Sequence, residues 1–406
     1  MKLVLAGGYD TQNLGDYAML EVFLRDLRTL DPHLDLVLLS RHPDNSFDAQ
    51  FKISSMVNLD HRSKKESLGR WFNGLNYKDD TIHLKNIINV LQNADMLIIG
   101  GGRLFIDITL GFMRGPLSYY GLLITLAKFL QIPVMLFAKT IVQNKTDLGT
   151  EHLKYIISNS DIITVREEES KNNLVFIGIE PQRIEVIPDP AFGLGFSNVK
   201  KHGLELIADE GISIDGTHPV IGANFRFTTL YTKLQDEVFH TLAQICDRLI
   251  YTLDADILLI SQGTYGIDNP LDDDRELYQL LKNRSTRPNR LHIIKKRYTI
   301  NETLAVYQTC DMVYSMRRHG IIFAATQQVP VFCLSGEVNA LHPMRQLGIS
   351  QHALSIHSFH EKDPLDMMLD AYHQRTNITE TIKKNMPNLS AQTKKYTEIL
   401  MNFLKK

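Results

Sequence analysis

The N-terminal stretch KLVLAGGYDTQNLGDYAMLEVFLRDLRTLDPHLDLVLLS, residues 2–40, reads as strand, helix, strand. KLVLAG is a short apolar run that closes on glycines. YAMLEVFLRDLRTL repeats its apolar residues at helical spacing, and LDLVLLS returns to strand character. The unit then recurs. HLKNIINVLQNA (83–94) and LSYYGLLITLAKFLQ (117–131) read as helices, while DMLIIGGG (95–102), IPVMLFA (132–138), DIITVREEES (161–170) and RIEVIPDPAF (183–192) hold strands. These runs are Ile/Val/Leu-rich and continuous, not alternating, as parallel strands covered on both faces require.

A second series begins at HPVIGANFR (218–226). It continues through ADILLISQG (255–263), NRLHIIKK (289–296), DMVYSMRRHG (311–320) and VPVFCLSG (329–336), with helical segments in the intervals. The polar, glycine-rich stretch 193–218 separates the two series and predicts a domain boundary near residues 195–218. The chain of 406 residues is too long for one ordinary core. The expectation is an α/β protein with domains at 1–200 and 215–350, a cleft between them, and a polar helical tail at 351–406. Residues 45–82, with Trp71, fit a lid or an inserted loop.

Composition narrows the function. A net charge of −2 gives no long-range pull toward nucleic acid or anionic lipid. Cys246, Cys310 and Cys333 are scattered without a CxxC pair, and read as buried small hydrophobes in a reducing compartment. The apolar stretch 122–142 is interrupted by Lys128, Gln131, Pro133 and Lys139, so a buried helix and strand explain it better than a membrane span. With no signal-peptide pattern at Met1, a cytoplasmic protein without an integral membrane segment is expected. There is no HExxH or close Cys/His cluster, so no metal site is expected. GxSxG, a Walker pattern and a dinucleotide fingerprint are absent as well.

Polar groups at strand ends are the remaining chemistry. Arg226 ends one strand of the second series, Gln262 another, and Arg317, Arg318 and His319 a third. Arginine forks match carboxylate or phosphate, and a histidine at a helix entrance can meet an anion or move a proton. Strand alternation aims Arg317 and His319 together and turns Arg318 aside. In the first series, Asn13 to Asp16 and Gly100 to Asp107 form glycine turns after strands. Gly101 and Gly102 offer backbone N–H groups, while Asp16 and Asp107 are either helix caps or substrate contacts.

Read together and in order, GGYDTQNLGDYAML (7–20), MLIIGGGRLFID (96–107), TVREEES (164–170), PDPAF (188–192), GANFR (222–226) and SMRRHGIIFAATQQVPVF (315–332) resemble the polysaccharide pyruvyl transferase family. The resemblance runs from residue 1 to about 350. It implies two Rossmann-like parallel-sheet domains in a GT-B-like arrangement with an interdomain cleft. It also implies transfer of the enolpyruvyl group of phosphoenolpyruvate onto two sugar hydroxyls, giving a ketal and phosphate without a further cofactor. Carried over, Arg226, Arg317 and His319 would bind phosphoenolpyruvate. By its strand-end position Gln262 is expected with them; by their turns after apolar strands Asn13, Asp16, Gly101, Gly102 and Asp107 are expected to meet the acceptor, and His319, Asp16 and Asp107 are the proton-transfer suspects. The implied partner is a sugar or lipid-linked oligosaccharide at the inner face of the membrane, with a homo-oligomer or peripheral contact to membrane-bound glycan assembly enzymes left open. The sequence departs from the family pattern at Asp10 and Tyr17, and CLSGEVNALHP (333–343) lacks the lysine of a YxxK-like segment. A nucleotide-sugar glycosyltransferase and a non-catalytic glycan-binding protein remain alternatives.

Overall fold

The structure, a computed structural model, describes residues 1–9, 13–59, 78–101, 104–107, 110–111, 114–226, 235–264, 273–335, 340–358 and 363–405. The chain divides into two compact units. One comprises Met1–Thr11, Asp16–Pro190 and Gln392–Lys406, and the other comprises Gln12–Gly15 and Ala191–Ala391.

The first unit is built on seven parallel strands. They are β1 (Lys2–Gly7), β2 (Asp35–Ser40), β3 (Ser54–Val57), β4 (Met96–Gly100), β5 (Val134–Lys139), β6 (Ile162–Val165) and β7 (Ile184–Val186), in the order β3-β2-β1-β4-β5-β6-β7. Helices α1 (Leu14–Leu30), α2 (Asn45–Phe51), α3 (Lys78–Gln92), α4 (Gly115–Phe129), α5 (Asp147–Ser158) and α6 (Glu168–Phe176) make the connections. Every residue of β4, β5 and β6 is buried, which is why these runs are continuously apolar instead of alternating. The apolar stretch at 122–142 resolves into α4 and β5, as its interruptions suggested. No described helix is long and apolar enough to cross a membrane.

Part of the stretch expected to be a lid or loop is regular structure. Asp44 caps α2 by accepting from the Ser46 N–H, Phe47 meets the Tyr17 ring tilted and Phe51 meets it edge-on, and β3 pairs with β2 as the sheet edge. The strand SSMV was hidden because, at the sheet edge with no fully buried residue, it carries no continuous apolar run. Trp71 lies outside the described residues.

The second unit holds β8 (Val220–Asn224), β9 (Asp256–Leu259), β10 (Leu291–Ile293), β11 (Met312–Ser315), β12 (Val331–Ser335) and β13 (Ala353–Ser355), all parallel, in the order β10-β9-β8-β11-β12-β13. Its helices are α7 (Lys200–Ala208), α8 (Gln235–Leu253), α9 (Asp274–Arg284), α10 (Ile300–Tyr307), α11 (Arg318–Thr326), α12 (Leu341–Gln346) and α13 (Pro364–His373); α14 (Arg375–Thr393) and α15 (Lys395–Leu404) complete the chain.

The second unit begins at Ala191, and the stretch 195–218, where a boundary was expected, holds α7, which packs on α10. A side chain at Gly203 would overlap the Ala305 carbonyl, so glycine permits that close approach. The tail expected at 351–406 divides between the two units. Residues 353–355 form β13, and residues from Gln392 onward belong to the first unit.

Candidate functional site

In both sheets the winding reverses beside the first strand, placing a switch point at β1/β4 in one unit and β8/β11 in the other. Ligands of such sheets bind beyond the carboxyl ends of the strands at that point. Apart from Gln262, which follows β9, the groups singled out by sequence lie in the turns that leave these four strands.

In the second unit, β11 stops at Ser315. The Ser315 hydroxyl accepts the Arg317 N–H at 3.1 Å and bends the chain, so Arg317 takes the N-cap of α11. Arg318 and His319 therefore sit in the first helical turn, both half-buried. The strand alternation expected to pair Arg317 with His319 does not extend this far.

The Arg317 side chain is itself 7% exposed and forms an ion pair through Nη2 with Oδ1 of Asp274, while its Nε is buried without a hydrogen-bond partner. Oδ2 of Asp274 accepts the N–H groups of Gln262 at 2.9 Å and Gly263 at 2.8 Å. Gln262 donates its amide to the Tyr307 hydroxyl at 2.9 Å, and that hydroxyl donates to Asn224 Oδ1 at 2.6 Å. Asp273 caps α9, accepting the Arg275 N–H. The buried partner of Arg317, Asp274, had no sign in the sequence. Arg226, two residues past β8, is exposed.

Residues Gln12–Gly15 cluster with this unit. Asn13 forms an isolated antiparallel bridge with Gly263, and the Leu14 N–H donates to the Gln262 carbonyl at 3.0 Å. Asn13 Oδ1 accepts the Gly15 N–H at 2.9 Å, and Gly15 lies against the His319 imidazole. The structure thus brings Asn13, Gln262, Arg317 and His319 into one unit, although sequence had assigned Asn13 to the first domain.

In the first unit, Asp16 is buried in the first turn of α1. Beside it are three residues to which sequence gave no role: Tyr9, Lys139 and Arg166, each at most 5% exposed. Lys139 closes β5 and donates from Nζ to the Gly101 carbonyl at 3.0 Å, 4.7 Å from the centre of the Phe105 ring. Gly101 has φ +70°, a left-handed conformation suited to glycine.

Arg166 follows β6, donates to Asp189 at 2.7 Å and reaches the Thr140 hydroxyl. Burial opposes the Arg166 charge, but Asp189 and then Glu167 more than restore it, so its pKa is raised. Burial, followed by the Arg166 charge, brings the Lys139 amine down to about 7, with Asp16 pulling the other way. Burial and then Asp16 push the Tyr9 phenol well above its ordinary value. A lysine closing an otherwise apolar strand was the available signal, the same one that drew attention to Arg226.

Asp107 stands apart from this group. Its Oδ2 accepts from the Thr146 hydroxyl at 2.7 Å, the Thr146 N–H at 2.7 Å and the Lys145 N–H at 2.9 Å, stapling the start of α5. Burial would raise its pKa; those hydrogen bonds outweigh it and hold the carboxyl below its ordinary value. Gly102 lies outside the described residues. Among the described residues no group of three His, Cys, Asp or Glu is placed to hold a metal ion. The three cysteines are buried and unpaired, and burial raises the thiols of Cys310 and Cys333 to about 12.

A sequence model of the family described as Polysaccharide pyruvyl transferase matches residues 13–337. The Amylovoran biosynthesis protein AmsJ of Erwinia amylovora is 22% identical over 381 residues, spanning 88% of this chain and 89% of that protein. Among solved structures, the UDP-GlcNAc 2-epimerase from Methanocaldococcus jannaschii superposes with a TM-score of 0.64 at 15% identity, covering 99% of this chain and 100% of the other. Anabaena Alr3699/HepE in complex with UDP-glucose gives 0.63 at 13% identity, covering 100% and 99%. At these identities the likeness establishes the fold, two Rossmann-like parallel-sheet domains of the GT-B-like class.

Proposed function

The chain belongs to the polysaccharide pyruvyl transferase family and is a pyruvyl transferase at that family's level; from this premise we propose that its donor is phosphoenolpyruvate and its acceptor two hydroxyls of one sugar. Protonation of C3 of phosphoenolpyruvate would make C2 electrophilic. One hydroxyl adds to C2 and loses its proton, phosphate leaves, and the second hydroxyl closes the ketal. The demands on the protein are cationic groups for carboxylate and phosphate, a proton donor for C3 and a base for the hydroxyls.

The observation that carries the donor assignment is the turn after β11. It presents Arg317, Arg318 and His319 at the start of α11, a helix whose N-terminus has no side-chain cap, at the switch point of the second sheet. Arg226 leaves the neighbouring strand β8, exposed. Asp274 fixes the Arg317 guanidinium in orientation and leaves Nε as a donor. In this reading Arg226, Arg317 and His319 engage the donor anions, Gln262 and Asn13 shape the turn beside them, and His319 supplies the proton.

The acceptor would be met by the first unit, with Asp16 as base and the Gly101 turn as hydrogen-bonding surface. Asp107, committed to Thr146 and Lys145, is the weaker proton-transfer suspect. No further cofactor enters this scheme. A sugar or lipid-linked oligosaccharide precursor in the cytoplasm, at the inner face of the membrane, suits a family of glycan assembly and a relative named for biosynthesis.

The test is release of phosphate from phosphoenolpyruvate in the presence of candidate sugars, with the mass of the product sugar. An acceptor that gains pyruvate less one water supports ketal formation. Gain of a hexosyl group from a UDP-sugar, with phosphoenolpyruvate untouched, would replace this reading with glycosyl transfer.

A further inference from the structure

We propose that Lys139 is a positioning residue for the acceptor side of pyruvyl transfer, clamping the Gly101 carbonyl and setting the charge around Asp16 so that the turn after β4 and the start of α1 keep one geometry. This rests on the reading that the first unit receives the sugar.

The backbone is bent to place this amine. The register between β5 and β6 shifts between Leu136 and Lys139, and Ala138 carries φ +52°, which costs a residue with a β-carbon energy. The Ala138 N–H is retained by the Thr164 hydroxyl at 2.9 Å. A regular strand would alternate Lys139 away from this position. With the bulge, Lys139 is 1% exposed and its Nζ reaches the Gly101 carbonyl.

The described surroundings of the amine are mostly apolar. An ammonium has three donors, and among the described residues the contacts of Nζ are one carbonyl and the face of Phe105. Among the described residues, the charged groups acting on it are Arg166 beyond β6 and Asp16 on α1, the former balanced by Asp189 and Glu167. Arg166 therefore has its own carboxylates, and Asp16 is the counter-charge that Lys139 feels. An ionised Asp16, the form a base must take, favours the ammonium. A proton on Asp16 favours the amine. Either form of Lys139 can donate to Gly101, so the clamp persists while the local charge adjusts. The Tyr9 hydroxyl, buried and without a hydrogen-bond partner, faces the same turn, because a side chain at Gly100 would overlap it.

The experiment has two parts. In the intact protein with 13C-labelled lysine, the Lys139 Cε resonance is expected to titrate near the midpoint of about 7, and Asp16→Asn should move that midpoint down because it removes the charge favouring the ammonium. With phosphoenolpyruvate and an accepting sugar, Lys139→Met is expected to lower kcat about a hundredfold, the scale of a misplaced reacting group, with donor KM retained. The Met variant should also lose any inflection that tracks the Lys139 midpoint. Lys139→Arg, always charged, should lose it too.

Titration of Lys139 near its ordinary 10.5, or a Met variant with wild-type kcat and pH profile, would overturn the inference. If Lys139→Met does not fold, the wild-type titration and the Arg variant decide. A wild type inert with phosphoenolpyruvate and every sugar tried would overturn the donor reading and with it the role given to Lys139. An active wild type matched by Lys139→Met would overturn the role alone.

Discussion

Gly15 lies flat against the imidazole of His319: a β-carbon on Gly15 would overlap the Nδ1, Cγ and Cε1 atoms of that ring. The ring occupies the space a side chain would need, and its atoms are not the free end of a flexible chain. Gly15→Ala must displace either the imidazole or the start of α1. If His319 moves protons during turnover, Gly15→Ala should reproduce the kinetic loss of His319→Asn, about a hundredfold or more in kcat. The double variant should lose little beyond either single change. Steady-state kinetics on the three folded variants checks this, and additive losses would mean that Gly15 serves something other than His319.

Arg317 is a poor residue to remove in isolation. Its Asp274 partner is 2% exposed, so Arg317→Ala leaves a buried carboxylate with backbone donors but without its ion-pair partner. Breaking such a pair from one side costs about 3–5 kcal/mol. Asp274→Ala should be comparably destabilising, and the double replacement Arg317→Met with Asp274→Leu much less so. Arg226→Ala, on an exposed residue, should leave denaturant stability within about 0.5 kcal/mol of wild type and weaken phosphoenolpyruvate binding. Urea titrations with donor-binding isotherms separate the two effects. Unchanged donor affinity in Arg226→Ala would remove that residue from the donor site.

These two sites show where sequence was legible. Continuous apolar runs identified the buried parallel strands, and their glycine- or arginine-bearing exits fell beside both switch points. The facing of Arg317 and His319 was not legible, because one hydroxyl, that of Ser315, ends the strand and starts the helix. Lys139 was visible as a lysine closing β5 but was read as a break in an apolar stretch. Its burial depends on a bulge, and a one-residue shift in register has no clear signature in composition. The Asp274–Arg317 pair joins residues 43 apart in the chain, and no local pattern announces a partner at that separation.

Asp107 gives a prediction with a defined sign. Its folded-state pKa is below its ordinary 3.8, so the stabilisation it contributes is present above that value and is lost as pH falls through the folded one. Asp107→Asn should therefore lower Tm near neutral pH, and the difference from wild type should shrink in acid. Because the carboxylate is occupied by Thr146 and Lys145, the same variant should keep the shape of the wild-type pH–rate profile. Thermal melts at neutral and acidic pH, with rates across pH, test both statements. Loss of one limb of the rate profile would return Asp107 to the list of proton donors.

Lys139 has the opposite linkage. Its folded value is about 7 against an ordinary 10.5, so between those values the unfolded chain binds more protons and stability rises with pH. Below about 7 both states hold the proton, and the penalty for burying the charge is at its full size. Relative to Lys139→Met, wild type should gain stability from pH 7 to pH 10. Denaturant melts over that range measure it, and parallel curves would show that Lys139 titrates alike in the folded and unfolded chain.

The end of the chain also supports the Arg166 environment. Tyr396 on α15 is 1% exposed, and its hydroxyl donates to the carbonyls of Ile187 at 2.9 Å and Pro188 at 3.1 Å. Its ring meets Phe137 edge-on at 4.9 Å. Those carbonyls immediately precede Asp189, which holds Arg166. Removing only the hydroxyl, as in Tyr396→Phe, should cost about 1 kcal/mol. Tyr396→Ala also removes the packed ring and should cost about 3–5 kcal/mol. The positioning consequence is separable from stability. With its preceding carbonyls released, Asp189 should hold Arg166 less firmly, which alters the field at Lys139 and Asp16. Tyr396→Phe should therefore shift the Lys139 titration and lower kcat while donor affinity, assigned to the second unit, stays at the wild-type value. Lysine titration, kcat and donor binding on that variant provide the check. A loss of donor affinity equal to the loss of kcat would show that Tyr396 acts on the whole protein and not through Asp189 and Arg166.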